Sequence, residues 1–357
     1  MDVRTQPGAR WSRIAVMAPV TVFGLRPAAP DSARPPRAAD SRLGRTRLVC
    51  AAMADLEDLL VKTSRTFALS IPQLEGATRD QVTLGYLLLR IADTLEDAAV
   101  WNREQRVEAL FRFAGLLDDT DDTAGAATGD LVASWLAEPP SPHEGYLELL
   151  EATDEVLSAY RALDSPARSV VGHHVRRTCV GMAHIVRRAD RGGELRLKGI
   201  PELRDYCYVV AGIVGEMLTE LFLLGAPLEE VAEALRRRAA AFGEALQLVN
   251  ILKDAAADED EGRSFIRDGR DRTLAFELAR ADLEVAGEYV AHLQQAGAPR
   301  GYLGFTALPV RLAWAALARV EEQGPGSKLT RPEVAALVGA LHADLDAGRP
   351  AAGAVSR

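Results

Sequence analysis

The chain has 357 residues, of which 48% are hydrophobic and 26% are charged, and its formal net charge is −9. This length allows one large domain or two small ones, and the acidic balance argues against a nucleic-acid binder, which would present a basic face. Three cysteines without a CxxC motif exclude a disulfide framework. The abundance of Ala, Leu, Arg and Glu favours an all-α fold.

The first segment, residues 1–52, is rich in Arg, Pro and Ala and lacks a helical period. Its apolar run Ile14–Leu25 follows three arginines and resembles a signal peptide, but Pro19 interrupts the run and no small-residue cleavage site follows. We predict a disordered or misassigned leader, with Met53 as the true start. A targeting segment is the alternative.

From residue 53 to residue 348 the apolar residues recur with helical spacing, which predicts one all-α domain followed by a tail over 349–357. Because the loops are short, we expect a single bundle with a central cavity. The two most apolar stretches, 209–225 and 302–320, contain charged residues, so neither is predicted to span a membrane. The predicted helices cover 55–64, 78–99, 103–118, 128–137, 143–162, 166–189, 201–224, 228–257, 272–296, 302–322 and 331–346.

One predicted helix carries a polar stripe with two carboxylates. Its residues recur at spacings of four, three and four, which places them on one helix face: Tyr86, Arg90, Asp93 and Asp97. Glu96 lies beside this stripe. Two carboxylates four residues apart repel each other unless solvent or a cation compensates, and Mg²⁺ shared with a substrate phosphate is one such cation. A solvated acidic face is the alternative interpretation.

A second polar stripe lies on a later helix. Its residues recur at spacings of three, four and four: Gln247, Asn250, Asp254 and Asp258. Buried amides require polar partners, which a cavity with metal, water and phosphate would supply. Lys253 and Arg263 add positive charge suited to diphosphate oxygens. A solvated face is again the alternative for this stripe alone, but the two stripes together suit the ionisation of a diphosphate.

Over about residues 59–337 the chain resembles the squalene and phytoene synthases. The resemblance rests on motifs in family order: Ser64-Arg65-Thr66-Phe67, Tyr86 to Asp97, Gly181-Met182-Ala183, Tyr206 to Gly215, Gln247 to Asp258, and Phe305 to Pro309. It implies an all-α isoprenoid-synthase fold with three Mg²⁺ ions. It also implies head-to-head condensation of two farnesyl diphosphates through presqualene diphosphate.

The resemblance implies a role for each matched residue. One metal set would comprise Asp93, Glu96 and Asp97, and the other Asn250, Asp254 and Asp258. The residues expected to contact diphosphate or line the substrate cavity are Ser64, Arg65, Phe67, Tyr86, Arg90, Gln247, Lys253 and Arg263. Tyr206 would be catalytic, through proton handling with the released diphosphate. Lys253 stands where many relatives carry Arg, and Ala257 where many carry an acid, which leaves the geometry of the second metal set open.

The product depends on the last step. The Asp93-Thr-Leu-Glu-Asp97 motif resembles the squalene branch, which reduces the intermediate with NADPH, and Lys328-Leu-Thr-Arg331 resembles a basic patch that binds this cofactor. Phe305 is assigned to the same cofactor site. An exposed basic turn is the alternative for the patch.

Other outcomes stay open at this point. The enzyme could make phytoene or dehydrosqualene without reduction, or stop at presqualene diphosphate. A catalytically inactive assembly or scaffold protein is the non-enzyme alternative, although such relatives usually lose metal-motif aspartates. We expect a cytoplasmic enzyme without a transmembrane segment, with peripheral membrane contact as an option for product release. The sequence indicates no oligomeric state.

Overall fold

The computed structural model describes residues 56–64, 66–118, 124–190, 194–260 and 262–353. The predicted leader and Arg65 lie outside the described residues. The described part is built almost wholly of helices, which confirms the all-α prediction.

The helices follow each other in a single bundle. Their bounds are α1 (56–63), α2 (Phe67–Ser70), α3 (Gly76–Glu96), α4 (Arg103–Gly115), α5 (Ala124–Leu136), α6 (Glu144–Glu151), α7 (Thr153–Arg161), α8 (Ser165–Arg188), α9 (Ile200–Cys207), α10 (Ile213–Gly225), α11 (Ala232–Asp260), α12 (Gly269–Gln295), α13 (Arg300–Gln323) and α14 (Arg331–Asp346). Single 3₁₀ turns cover Ile71–Gln73 and Glu229–Val231, and a π-turn covers Tyr208–Gly212.

Two boundaries differ from the predicted helices in ways that concern the fold. The helix predicted over 143–162 is broken at Ala152, where the Thr153 hydroxyl donates to the carbonyl of Leu150 at 2.6 Å and substitutes for a helical partner. The helix predicted over 228–257 continues to Asp260, so Asp258 lies within α11 rather than in the loop that follows.

A pair of two-residue strands organises the loops on either side of α9 and α11. Strand β1 (Leu195–Arg196) pairs in parallel with β2 (Arg263–Ser264), with Leu195 opposite Arg263. The amide of Leu195 donates to the carbonyl of Gly262 at 3.0 Å. This pairing turns the chain back after α11 and thereby positions Arg263.

Glycines allow α10 and α11 to pack at close range. A Cβ atom at Gly243 would lie 2.0 Å from the carbonyl oxygen of Ala211, and one at Gly215 would lie 2.0 Å from that of Ala239. Only residues without a side chain fit at such distances. The π-turn that follows Tyr206 is therefore held directly against α11.

Two helical segments are long and apolar enough to cross a membrane by length and composition, namely Ile200–Gly225 and Arg300–Gln323. Of these windows, 67% and 72% are buried inside the bundle, as expected for core helices. The tail also contributes to packing in its described residues 349–353, since Ala351 is fully buried and its carbonyl accepts from Arg311 Nε at 2.7 Å.

Candidate active site

The polar stripe of α3 begins in the protein interior. The side chains of Arg90 and Asp93 are 2% and 1% exposed, and Arg90 Nη1 donates to Asp93 Oδ2 at 2.6 Å. Arg90 Nε donates to the Tyr86 hydroxyl at 3.2 Å, and that hydroxyl donates to the carbonyl of Thr63 at 2.9 Å. The guanidinium also lies 5.4 Å from the centre of the Tyr146 ring. A buried ion pair is thus supported by further hydrogen bonds and by aromatic contact.

Asp97 lies at the end of the same stripe, where α3 stops. Its amide donates to the carbonyl of Asp93 at 2.9 Å, and its side chain is 23% exposed. Burial raises the pKa of Asp97 well above its ordinary value, the nearby Arg263 lowers it, and the charges of Glu96 and Asp93 raise it again. Such a carboxylate is stabilised in its charged form by an added cation.

The second stripe lines α11 and is also largely buried. Gln247 and Asn250 are buried, and Lys253 Nζ donates to Asn250 Oδ1 at 3.1 Å. The same Nζ lies 3.1 Å from Asp254 Oδ2, and Asp254 is 20% exposed. The Lys253 ammonium therefore stands between an amide and a carboxylate of the predicted metal motif.

Arg263 connects the two acidic stripes. Its Nη1 donates to Asp97 Oδ1 at 3.1 Å, and its Nη2 lies 3.7 Å from Asp258 Oδ1. Both carboxylates therefore border one guanidinium, although they lie on helices α3 and α11. The ends of the two predicted stripes therefore lie close together.

Tyr206 lies beside this junction. It is buried, its ring centre is 4.7 Å from that of Phe265, and its hydroxyl has no hydrogen-bond partner among the described residues. Burial raises the pKa of Tyr206 well above its ordinary value, and Glu96 adds to this shift. The phenol is consequently protonated at neutral pH and available to donate a hydrogen bond.

A small apolar pocket lies beside the α3 stripe, and Tyr86 belongs to both. The Phe67 ring centre lies 5.5 Å from that of Tyr86 and 6.2 Å from that of Phe305. The other lining residues are Ile71, Val82, Leu89, Val214, Met217 and Leu218. Tyr86 therefore contacts the charged stripe through its hydroxyl and lines the apolar pocket.

The donor set fits Mg²⁺ and a diphosphate better than a metal held by protein alone. No three carboxylate, imidazole or thiol groups converge within the described ranges. Mg²⁺ commonly takes one or two carboxylates and completes its shell with phosphate oxygens and water. Three buried oxygens next to the stripes find no partner in the described part of the chain, namely Glu96 Oε2, Gln247 Oε1 and the Tyr206 hydroxyl. Polar ligands in the cavity would satisfy them.

The structure does not bring the predicted cofactor residues together. Lys328 and Arg331 are exposed in and after the loop that follows α13, whereas Phe305 is buried in the apolar pocket. Phe305 lies 18 residues before the C-terminal end of α13, a distance of roughly 27 Å at 1.5 Å per residue. The loop itself contacts α11, because the Gly326 amide donates to the Lys253 carbonyl at 2.6 Å.

Ser64 makes a local contact that supports the fold. Two other residues near the site could not be identified from the sequence. The Ser64 hydroxyl accepts from the amide of Phe67 at 2.9 Å and so supports the start of α2. Tyr146 on the Arg90 guanidinium and Phe265 on the Tyr206 ring have no signal in the sequence, since each acquires its partner only through tertiary packing.

Comparison with known proteins identifies the family. The model of the squalene/phytoene synthase family matches residues 60–266, which is more than half of the chain. The chain belongs to the squalene/phytoene synthase family. The squalene synthase of Schizosaccharomyces pombe is 30% identical over 210 residues, which are 58% of this chain and 42% of that protein. Human squalene synthase is 29% identical over 206 residues, covering 58% and 44%.

The matched region therefore spans less than half the length of these curated relatives. Solved structures extend the likeness over more of the chain. The complex of TcSQS with the ligand E5700 has a TM-score of 0.62 and 26% identity, covering 83% of this chain and 89% of that one. A dehydrosqualene synthase in complex with a ligand has a TM-score of 0.53 over 84% of this chain and 99% of its own, at 18% identity, which shows the fold alone.

Proposed function

We propose that this protein joins two molecules of farnesyl diphosphate head to head, in a Mg²⁺-dependent reaction, and converts the resulting presqualene diphosphate to squalene with NADPH. The observation that carries the proposal is the position of Arg263 between Asp97 and Asp258. Two acidic helix ends then border one cationic group, and the apolar pocket beside Tyr86 would open to receive a prenyl chain.

The carboxylates of the two stripes would hold the metal: Asp93, Glu96, Asp97, Asp254 and Asp258, with Asn250 assisting. Bound Mg²⁺ would supply positive charge to the diphosphate as its bond to the allylic carbon breaks. Arg263 and Lys253 now face carboxylates, and they would turn to diphosphate oxygens once those carboxylates bind metal. Gln247 would complete its hydrogen bonding in the same cavity.

The apolar pocket would protect the cationic intermediates. Loss of diphosphate leaves an allylic cation, which water would capture unless the site excludes it. The faces of Phe67 and Tyr86 border the pocket, and aromatic faces attract cations. The first condensation releases one diphosphate and one proton, and the second step releases the other diphosphate and takes up hydride.

Tyr206 would serve the departing diphosphate. Its pKa is raised by burial, so the hydroxyl keeps its proton and can donate a hydrogen bond to a phosphate oxygen. The released diphosphate can in turn accept the proton that the condensation sets free.

The NADPH step finds support in the loop between α13 and α14. Lys328 is exposed in this loop and Arg331 is exposed at the start of α14, and their charges suit cofactor phosphates. The Gly326 hydrogen bond ties this loop to α11 at Lys253, one residue from Asp254. We further propose a cytoplasmic enzyme with peripheral membrane contact, since its product is an apolar hydrocarbon that dissolves in lipid.

The test is product analysis with the full chain. Purified protein is incubated with farnesyl diphosphate and Mg²⁺, with and without NADPH, and the extracted hydrocarbon is identified by mass spectrometry. The proposal expects squalene only when NADPH is present. Dehydrosqualene formed despite excess NADPH would assign the protein to the non-reducing branch. Presqualene diphosphate as the sole product would show that the reaction stops at this intermediate. No product under any metal condition would favour a scaffold protein.

A further inference from the structure

A second cavity lies near the apolar pocket, towards the N-terminal ends of α3 and α13. It is much larger than the apolar pocket, and part of it is open to solvent. Tyr302, Thr78 and Gly225 are among its lining residues, and none of the three lines the apolar pocket. We call it the outer cavity.

Three helices, α3, α10 and α13, line both cavities. On α3 the outer cavity borders Thr78 and Gln81, and the apolar pocket borders Val82 and Tyr86, nearer to Asp93. On α13 the corresponding positions are Tyr302 and Phe305, and α10 runs from the apolar pocket at Leu218 to the outer cavity at Leu224 and Gly225. The two cavities therefore succeed each other along the bundle axis, away from the acidic stripes.

An aromatic partition fills the space between the two cavities. The Phe222 ring stacks on Tyr302, with ring centres 4.4 Å apart at 23°, and meets Phe305 edge to face, with centres 5.8 Å apart at 86°. Phe305 lines the apolar pocket and Tyr302 lines the outer cavity, so Phe222 stands between them. Phe222 is fully buried and Tyr302 is 4% exposed.

The partition has little freedom to move aside. The Tyr302 hydroxyl lies 2.9 Å from the Thr78 hydroxyl oxygen, and a Cβ atom at Gly225 would lie 2.3 Å from it. The adjoining Gly301 packs against the carbonyl of Gln73, which a Cβ atom would approach to 2.3 Å. The Tyr302 hydroxyl is thus held by a hydrogen bond and by the close approach of Gly225, and the backbone next to Tyr302 is tightly packed.

We propose that the Phe222–Tyr302 partition sets the maximum prenyl length that this site accepts, admitting farnesyl and excluding geranylgeranyl diphosphate. This inference rests on the proposed function. Along α3, Asp93 lies roughly 16–17 Å from Val82 and roughly 22 Å from Thr78 at 1.5 Å per residue. The difference is about one helical turn, a length comparable to one isoprene unit. A longer chain would need that extra depth, and the partition closes it.

The experiment compares farnesyl with geranylgeranyl diphosphate in the full chain with Mg²⁺ and NADPH. We expect the kcat/KM of the wild type to favour farnesyl diphosphate by at least about tenfold. Tyr302→Ala joins the two cavities and should bring the ratio to within about threefold. Phe222→Leu removes the stacked ring with a smaller loss of volume and should shift the ratio of kcat/KM values in the same direction. This variant provides the test if Tyr302→Ala does not fold.

Two matched variants and a binding measurement complete the design. Tyr302→Phe keeps the ring and should keep the wild-type ratio, and Leu224→Ala alters an exposed residue of the outer cavity without touching the partition. Folded Tyr302→Ala and Phe222→Leu proteins with unchanged ratios would overturn the proposal, as would a wild type that uses both substrates equally. If the wild type turns over neither substrate, the proposed function fails, and the shift in melting temperature produced by each diphosphate still decides whether the partition limits length.

Discussion

The Arg263 guanidinium donates to the Asp97 carboxylate at 3.1 Å across 166 positions of sequence, and its other terminal nitrogen lies 3.7 Å from Asp258. A protein cation thus stands between the two acidic pairs that are proposed to bind metal. The Arg263 guanidinium and a Mg²⁺ ion would interact with the same carboxylates. Binding of Mg²⁺ should therefore be coupled to the position of Arg263.

The first prediction concerns this coupling. Arg263→Gln removes the guanidinium that borders both Asp97 and Asp258, so the metal-free protein should lose about 2 kcal/mol of unfolding free energy. Added Mg²⁺ should restore more stability to the variant than to the wild type, because the ion replaces the missing charge. Urea unfolding with and without Mg²⁺ measures both effects. Arg196→Gln, an exposed arginine on the paired strand, is the control, and equal Mg²⁺ effects in wild type and variant would refute the coupling.

The second prediction separates the two aspartates of α3. Asp93→Asn leaves the Arg90 guanidinium buried without its anion, which should cost about 3 kcal/mol in metal-free protein. Asp97→Asn should cost less than about 1 kcal/mol, because Asp97 is partly exposed and Arg263 still borders Asp258. Both variants should lose condensation. Denaturant unfolding in a chelator gives the stabilities, and equal losses would contradict the assignment of Asp93 to a structural ion pair.

The third prediction concerns Tyr206. Its buried hydroxyl has no partner among the described residues, so Tyr206→Phe should leave the unfolding free energy unchanged or slightly higher. If the hydroxyl donates to the leaving diphosphate, kcat should fall by at least about tenfold, with a smaller effect on KM. Steady-state kinetics and thermal unfolding of the same preparation test this split. A stability loss with unaltered kcat would mean that the hydroxyl serves the fold alone.

The fourth prediction is a pH dependence away from the site. Arg204 lies 3.5 Å from Glu244 and 3.4 Å from Asp282, and burial raises the pKa of both carboxyls. The native state therefore keeps protons on them at pH values where the unfolded chain, with ordinary pKa values near 4, has lost them. Their contribution to stability is present at low pH and declines as pH rises through the native pKa.

Replacing one of these carboxyl groups should remove its contribution to the decrease in unfolding free energy with rising pH. The unfolding free energy of Asp282→Asn, relative to wild type, should therefore increase between pH 4 and pH 7. Asp346→Asn, an exposed carboxylate in a surface ion pair, is the control and should show a flat difference. A flat difference for Asp282→Asn as well would show that burial does not perturb this group.

Much of the fold follows from the spacing of apolar residues. The helical periods predict most elements within a few residues, and the stripes of α3 and α11 carry their carboxylates on one face, as the spacing requires. Helix–helix contacts then bring these faces together. The charge of Arg263 suits diphosphate from the sequence alone, but its contacts with Asp97 and Asp258 arise only from the folded arrangement of α11 and α3.

What the sequence does not reveal depends on long-range packing. The Phe222–Tyr302 stack joins residues 80 positions apart on α10 and α13, and no local pattern indicates that pairing. Phe305 is predicted to be at the cofactor site, and in the structure it lies between Phe67 and Phe222 and lines the apolar pocket. A motif gives the identity of such a residue, but its position depends on where two helices cross.

The central claim is that both acidic pairs bind one diphosphate through Mg²⁺. The most direct measurement is the melting temperature of wild type, Asp97→Asn, Asp254→Asn and the double variant, each with Mg²⁺ and inorganic diphosphate added singly and together. The melting temperature of the wild type should rise most when both ligands are present. Either single substitution should remove this joint stabilisation as completely as the double substitution does. Joint stabilisation that survives in either single variant, or losses that simply add in the double variant, would contradict it.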